Sequence, residues 1–173
     1  MNIIGDGGHA KVIKSFYWRE GIIIAIGDNA KRRQVALEHE GMRPAMVYGK
    51  AIHPSAIVDS SVIIDAGTVI MAGAVIQAGA RIGKHCIINT CASIDHDCVI
   101  EDYVHIAPGA HLCGDVHIGE GTLVGVGVGI APGCKIPAWS LVKARRLEIV
   151  PLKGYTSVGH DEDSLRSSFP DIH

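Results

Sequence analysis

The sequence lacks an excess of either charge and any long apolar run. Its 173 residues carry 16 Lys and Arg against 18 Asp and Glu, a net charge of -2 with a pI near 6.5. This balance gives no electrostatic reason to expect a nucleic acid partner. Hydrophobic residues make up 47% of the chain, yet no apolar run approaches the roughly 18 residues that a membrane-spanning helix needs. We therefore expect no membrane span.

The start of the chain also lacks the features of a secretory signal. The stretch "MNIIGDGG" has no basic region followed by a long apolar stretch and a cleavage site. The five cysteines are an odd number in no paired motif, which suits reduced thiols in a reducing compartment. The sequence therefore predicts a cytoplasmic protein.

What the sequence has instead is a six-residue period. An aliphatic residue stands at every sixth position from Ile52 to Val142, sixteen positions in all. If a third of all residues were aliphatic, chance would give this run with a probability on the order of 10⁻⁸, so the period indicates a repeat architecture. A small or short side chain follows four residues later, as a narrow, close-packed interior requires. Glycines recur one or three residues after the aliphatic position, where turns need backbone freedom.

Each hexapeptide therefore predicts one short strand and one turn. Three hexapeptides close a triangular coil, so residues 52–141 predict a prism of about five coils, roughly 24 Å long at the usual strand spacing. Cys91 and Cys113 lie off the inward slots, in no setting that would activate a nucleophile. The small inward slot, where thiols pack as small hydrophobes, holds the other three cysteines: Cys86, Cys98 and Cys134.

Residues 1–51 break the period. "MNIIGDGGHAKVIKSFYWR" predicts a strand, a glycine-rich turn and an amphipathic helix, and the segments "GIIIAIGDN", "AKRRQVALEHEG" and "AMVYG" continue as strand, helix and strand. Gly5, Gly7 and Ala10 fit G-x-G-x-x-[G/A], whose backbone amides at a helix start can bind phosphate. The alternative is that these glycines only permit a tight turn, and the sequence leaves both interpretations open.

The segments "GDGGHAKVI", "AIGDN" and "HPSAIV", followed by "IDHDCVIEDYVHIAPGAHLCGDVHIGEGT", resemble the hexapeptide-repeat sugar O- and N-acyltransferases of the sialic-acid O-acetyltransferase type. Within that group they look like bacterial acetyltransferases of UDP-linked amino sugars. The resemblance implies a mainly β fold, in which a left-handed parallel β-helix, an exception to right-handed crossover, follows a small, shortened Rossmann-like α/β unit. It also implies acetyl-CoA as acyl donor, a nucleotide-linked amino sugar as acceptor, and a homotrimer with sites between neighbouring prisms.

The resemblance divides the chain into three segments. Residues 1–51 correspond to the nucleotide-sugar-binding unit, residues 52–142 to the acyltransferase β-helix, and residues 143–173 to an atypical tail in place of the usual last coil. The relatives carry a further strand and helix before "IIIAIGDN", with acidic residues that touch the nucleotide base, and this chain lacks them. The resemblance therefore predicts contacts of this chain to the phosphates of the sugar nucleotide rather than to its base.

The family's catalytic histidine falls on His96, and Asp97 follows it directly. An amine or hydroxyl nucleophile needs a base, and a carboxylate can fix the tautomer of a histidine that acts as one. His96 comes two residues after Ile94, at a turn, so we expect it to project from a corner of the prism. On the cofactor side, the resemblance implies that His105 lies near the acetyl group, that the Gly114 N–H faces the thioester oxygen, and that Val126 contacts pantetheine. On the substrate side, the matching residues are Asn89, Gly7, Gly8 and His9.

Two other functions remain open at this stage. His105, His111 and His117 are spaced by six, and trimeric prisms of the γ-carbonic-anhydrase type bind zinc through histidines shared across an interface. Equivalent slots on successive faces of one prism point apart, however, so we expect no metal. The second alternative is a non-catalytic prism that binds a sugar nucleotide or a protein. Trimer packing is further predicted by aliphatic residues at outward slots: Ile57, Ile63, Val69, Val75, Ile87 and Val99.

Overall fold

The computed structural model describes residues 2–14, 21–42 and 47–143. Two sequence predictions fall outside these ranges. They are the apolar helix positions Phe16 and Tyr17 and the C-terminal tail beyond Lys143.

The described residues of the N-terminal unit form two strands and two helices in alternation. They are β1 (Asn2–Ile4), α1 (Gly8–Ile13), β2 (Ile22–Ile24) and α2 (Asn29–Met42). β1 and β2 pair in parallel, and α1 buries Ala10 and Ile13 as the helical spacing predicted. Within the described residues, the third predicted strand is a single parallel bridge between Ile22 and Tyr48.

The hexapeptides form three parallel sheets, which we call faces 1, 2 and 3. The strands of face 1 are β3 (Ala51–Ile52), β6 (Val69–Ile70), β9 (Ile87–Ile88), β12 (His105–Ile106), β15 (Leu123–Val124) and β18 (Leu141–Val142). Those of face 2 are β4 (Ile57–Val58), β7 (Val75–Ile76), β10 (Ser93–Ile94), β13 (His111–Leu112) and β16 (Gly129–Ile130). Those of face 3 are β5 (Ile63–Ile64), β8 (Arg81–Ile82), β11 (Val99–Ile100), β14 (His117–Ile118) and β17 (Lys135–Ile136).

Each strand pairs with the strand 18 residues away, as Ser93 does with Val75 and His111. This arrangement is mainly β and consistent with a left-handed β-helix of five coils and one additional strand. Corner 1/2 denotes the turns that lead from face 1 to face 2, such as residues 89–91. Corner 2/3 contains residues 95–97, and corner 3/1 contains residues 101–103.

The second residue of each strand fills the prism interior. From Ile64 to Val142 every such residue is buried, whereas Ile52 and Val58 at the first coil remain partly accessible. The small inward slots are filled as predicted, and they include the three buried cysteines. Cys86 and Cys98 are completely inaccessible and Cys134 nearly so. None of the five cysteines forms a disulfide.

The turns share one backbone feature. The third residue after each inward aliphatic has a positive φ in every turn from Gly67 to Trp139. Glycine adopts this left-handed conformation without steric cost, whereas other L-residues adopt it at a cost of about 1–2 kcal/mol. The non-glycine residues at this position are His85, Cys91, Asp97, Tyr103, Asp115 and Trp139.

The N-terminal unit covers part of face 1. Ile23 and Ala25 pack with the outward residues Val69 and Met71 in one cluster. Val69 is 1% exposed and Ile87 is 2% exposed, so two of the six aliphatics from which trimer packing was predicted are already buried within the chain. The chain's own α/β unit replaces a partner there.

Four of these outward aliphatics do remain accessible: Val75 and Val99 in part, and Ile57 and Ile63 to more than half. Ile57 on face 2 is 67% exposed and Ile63 on face 3 is 53% exposed. They lie on the two faces that the N-terminal unit leaves open. No helix among the described residues has the length and hydrophobicity to cross a bilayer.

Candidate functional site

His96 and Asp97 form a hydrogen-bonded pair at corner 2/3. The His96 Nδ1 lies 2.8 Å from the Asp97 Oδ2, and about two thirds of each side chain is exposed. A carboxylate can only accept, so the Nδ1 of the neutral ring carries the proton. The Nε2 is therefore the unprotonated nitrogen, and its lone pair is available to take a proton from a bound nucleophile.

Gly114 lies directly beneath the His96 ring. A Cβ on Gly114 would come within 2.6 Å of both Cε1 and Nε2 of His96. The glycine thus leaves the space in which the imidazole sits. Within the described residues, the Gly114 N–H has no hydrogen-bond acceptor, while the next amide, that of Asp115, donates to the His96 carbonyl at 3.0 Å.

Asp97 occupies one of the left-handed turn positions, with φ of 60°. Its amide donates to the Ala78 carbonyl at 3.0 Å, which anchors the turn to the previous coil. Asp tolerates this backbone conformation better than most residues. The conformation places the carboxylate beside the neighbouring imidazole, and Gly79 in the coil above has no side chain that would displace it.

A second group of polar residues lies between face 1 and the N-terminal unit. His105, on β12, is only 9% exposed, and its Nε2 lies 3.1 Å from the Asn89 Nδ2. The Asn89 Oδ1 accepts from the Thr90 amide at 2.8 Å, which fixes the orientation of the Asn89 side chain. An amide nitrogen can only donate, so the His105 Nε2 must be an unprotonated acceptor.

The electrostatic environment agrees with a neutral His105. Burial, together with the positive charge of Arg32 and the neighbouring His9, lowers the pKa of His105 to about 4. His9 stands edge-on to it, with ring centroids 5.4 Å apart, and burial and Arg32 lower the pKa of His9 as well. Neither ring has the environment of a base that works near neutral pH.

Two clefts open beside these histidines. The first, of about 280 Å³, lies between residues 5–9 and residues 25–27. Gly5 is required in the turn because its φ is +118° and a Cβ there would approach the Ala25 carbonyl oxygen to 2.9 Å. A Cβ on Gly7 or Gly8 would meet nothing within 4 Å, so their backbone is open to the cleft. The second cleft, of about 310 Å³, is lined by Gly8, His9 and Val12 from the N-terminal unit and by Met71, Asn89 and Thr90 from the prism.

The predicted site residues therefore fall into two groups at different corners. His96, Asp97 and Gly114 lie together at corner 2/3. The other predicted residues are His105 on face 1, Asn89 and Val126 at corner 1/2, and Gly7, Gly8 and His9 in the N-terminal unit beside face 1. Val126 is 60% exposed in a turn of corner 1/2, two coils beyond the turn that contains Asn89. Face 2 separates the two groups within one chain.

The sequence interpretation did not identify the residues that hold the N-terminal unit in place. The largest of them is Arg32, which is 1% exposed. His85 stacks on Tyr103 at 5.4 Å between centroids and meets Tyr48 edge-on at 4.5 Å. The sequence does indicate this contact, because bulky residues such as His85 and Tyr103 stand at the turn position that glycine occupies in other turns. Packing against another part of the molecule explains their presence there.

The three histidines considered for zinc lie on three different faces, as predicted: His105 on face 1, His111 on face 2 and His117 on face 3. His111 Nδ1 contacts Ser93 Oγ at 2.8 Å, and His117 Nε2 contacts Glu101 Oε1 at 2.7 Å. Across the part of the chain that the structure describes, no group of three or more metal-binding side chains could hold an ion.

The chain is similar to one family of bacterial transferases and to several solved acetyltransferase structures. Residues 97–132 match the bacterial transferase hexapeptide family (six repeats). The acetyltransferase domain of PglB from Neisseria gonorrhoeae FA1090 is 30% identical, with a TM-score of 0.79, over 86% of this chain and 90% of that one. The same domain has also been solved in complex with acetyl coenzyme A, at 29% identity and a TM-score of 0.74, over 86% of this chain and 98% of that one. PerB from Caulobacter crescentus, in complex with CoA and GDP-perosamine, is 32% identical with a TM-score of 0.78, over 87% and 88%.

Proposed function

Since the chain belongs to the hexapeptide-repeat sugar acetyltransferases, we propose that it transfers the acetyl group of acetyl-CoA to an amino or hydroxyl group of a nucleotide-linked sugar. The donor is supported by relatives bound to acetyl coenzyme A and CoA, and the acceptor by a relative bound to GDP-perosamine. The location is proposed to be cytoplasmic, as an odd number of cysteines in no paired motif predicts.

His96 is the proposed general base. Its Nε2 accepts the proton of the sugar amine or hydroxyl as the nucleophile attacks the thioester carbonyl. The Asp97 carboxylate keeps the proton on Nδ1 and stabilises the imidazolium that forms. The tetrahedral intermediate then expels the CoA thiolate, and the proton held by His96 can neutralise it. The pair is exposed on its own chain, so a bound substrate must exclude water from it.

Gly114 contributes a backbone donor to the same step. Its N–H stands beside the imidazole and is available to the oxygen of the thioester, where negative charge develops. Removing one such donor typically costs 10²- to 10³-fold in kcat. His105, held neutral by Asn89, is proposed to contact the acetyl group of the cofactor, and Val126 to contact pantetheine through its backbone.

The N-terminal unit is proposed to bind the sugar nucleotide in the manner of a shortened Rossmann-like unit. The backbone of Gly8 and the ring of His9 line both clefts and Gly7 lines the first, which brings amide donors next to prism residues such as Asn89. The absence of the relatives' further strand and helix leaves the nucleotide base with fewer partners. We therefore expect recognition to rest on the phosphates and the sugar.

One observation carries the proposal that the active site lies between subunits. The base and the oxyanion donor lie at corner 2/3, while the proposed cofactor and sugar contacts lie at corner 1/2 and under the N-terminal unit. A single prism cannot bring two of its own corners together. A homotrimer in which corner 2/3 of one subunit faces corner 1/2 of the next would complete three equivalent sites, in keeping with cyclic symmetry.

The test is acetyl transfer by mixed trimers. Nucleotide-linked amino sugars are incubated with protein and acetyl-CoA, and products are detected by mass spectrometry. The His96→Ala and Asn89→Ala variants should each be nearly inactive, but subunits mixed and reassembled at equal amounts should recover about a quarter of wild-type activity, since random pairing restores one site in four. The control mixes His96→Ala with Asp97→Asn, which damage the same side, so the mixture should not exceed the mean activity of the two separate variants.

Sedimentation of the wild type should give about three times 18.3 kDa. A monomer that transfers acetyl groups at full rate, or mixed trimers that stay inactive, would remove the intersubunit site. A protein that acetylates no sugar nucleotide in the panel would instead favour the non-catalytic alternative.

A further inference from the structure

Arg32 is the most deeply buried charged side chain that the mechanism does not use. It lies on α2, is 1% exposed, and its guanidinium donates from all three nitrogens. Every acceptor is a neutral oxygen, so hydrogen bonds rather than an ion pair compensate its burial. The acceptors are the carbonyls of His85 (2.7 Å), Ile26 (2.8 Å), Gly27 (3.3 Å) and Tyr103 (2.7 Å) and the Asn29 Oδ1 (2.8 Å).

These acceptors belong to different parts of the molecule. His85 and Tyr103 are turn residues of corner 3/1, in successive coils of the prism. Ile26 and Gly27 form the loop between β2 and α2, which borders the cleft beside the glycine-rich turn. One guanidinium therefore ties the cleft loop to two coils of the prism. Five N–H groups in a fixed plane can do this, whereas the three donors of a lysine cannot reach all five oxygens.

The cleft loop in turn positions the two histidines. A Cβ on Gly27 would come within 2.9 Å of the His9 Cε1, so the His9 ring packs against this residue. The Gly27 backbone also hydrogen-bonds to His105. A shift of Gly27 would therefore move both rings that border the acetyl and sugar sites.

From these contacts we infer that Arg32 is a positioning residue of the acetyl-transfer site, acting through Gly27 on His9 and His105. The expected loss of kcat/KM rests on the proposed function, whereas the placement of the His9 and His105 rings does not. The charge of Arg32 also acts on the rings directly, because it is one of the causes that hold the pKa of His105 near 4. The other groups that face His105 are His9 and the amide of Asn89.

Two substitutions separate position from charge. Arg32→Lys keeps the charge and loses the planar set of donors, whereas Arg32→Gln loses the charge and keeps two donors. If Arg32 positions the site, both variants should lose at least about 10-fold in kcat/KM, because a displacement near 1 Å can cost 10²-fold. Only Arg32→Gln should raise the pKa of His105, as measured by histidine-selective NMR titration.

Arg33 is the matched control. It is the next residue on α2, is about half exposed, and pairs with Glu120 at 2.9 Å away from the clefts. Arg33→Lys and Arg33→Gln should stay within about twofold of wild type in kcat/KM. Wild-type kcat/KM in Arg32→Lys would overturn the positioning role.

A measurement on the wild type keeps the inference testable if the Arg32 variants do not fold. The His105 ring of the intact protein should show no titration between pH 5 and 8. A His105 that titrates near 6.5 would mean that the cleft loop and Arg32 do not hold it as described. This outcome is independent of whether any sugar is acetylated, so its failure and that of the proposed function are distinguishable.

Discussion

Gly114→Ala should separate activity from stability. The added Cβ would lie 2.6 Å from two atoms of the His96 ring, and ordinary contact begins at 3.4 Å, so the ring must retreat by about 0.8 Å. His96 is largely exposed and can move, but it then leaves its place beside the carboxylate of Asp97. A displacement of this size near the reacting atoms costs about 10²-fold. We expect that loss in kcat/KM for acetyl transfer.

Folding should respond in the opposite direction. Gly114 has no positive φ, and the three atoms nearest to its added Cβ all belong to the flexible, exposed side chain of His96. Replacing such a glycine by alanine stabilises a protein by about 0.4–1 kcal/mol, because the unfolded chain loses freedom. Urea unfolding should therefore show an equal or higher midpoint. The matched control is Gly41→Ala in α2, where a Cβ meets nothing within 4 Å and activity should not change. Wild-type activity in Gly114→Ala would refute the placement of His96 as the base.

The remaining predictions concern a carboxylate and two buried histidines. Asp97→Asn should lower kcat by about 10-fold, because an amide still hydrogen-bonds the His96 ring but does not stabilise its positive charge. This loss is smaller than that expected for His96→Ala. The control, Asp115→Asn, changes the same left-handed turn position one coil further on and should leave kcat unchanged. The pKa values of His85 and His105 lie near 4 in the folded state against an ordinary 6.5. Because the unfolded chain then binds more protons, stability should be full above pH 6.5 and fall by up to about 3 kcal/mol for each as pH drops to 4. Urea unfolding between pH 7 and pH 4.5 measures this, and a flat profile would contradict the burial of both rings.

The six-residue period was sufficient to predict the prism and the place of His96 on it. An inward aliphatic residue, a small residue and a turn repeat within every hexapeptide, and each coil rests on the next by backbone pairing. Such a pattern is local, so residues far away in the chain do not alter it. The turn position after Ile94 followed from counting alone, and the structure has His96 exposed there. The three inward cysteines were predicted in the same way.

The docking of the N-terminal unit could not be predicted in this way. Arg32 reaches the carbonyls of His85 and Tyr103, which are 53 and 71 residues away, and Asn29 donates to the Gly121 carbonyl 92 residues away. No period links such residues, because their contact depends on two separate surfaces fitting together. For the same reason the sequence treated Val69 and Ile87 as exposed, although both are buried and Val69 packs in one cluster with Ile23 of the N-terminal unit.

The tertiary structure also decided how the site is divided. The resemblance gave His96 and His105, which are nine residues apart, roles at one active site. The sequence alone could not show whether the two side chains meet within one chain or lie apart. Nine residues are one and a half hexapeptides, and this step carries the chain from a corner, past face 3, to the middle of face 1. The sequence predicted which residues have the chemistry for acetyl transfer, while the triangular cross-section determined that one subunit presents them on separate sides of the prism.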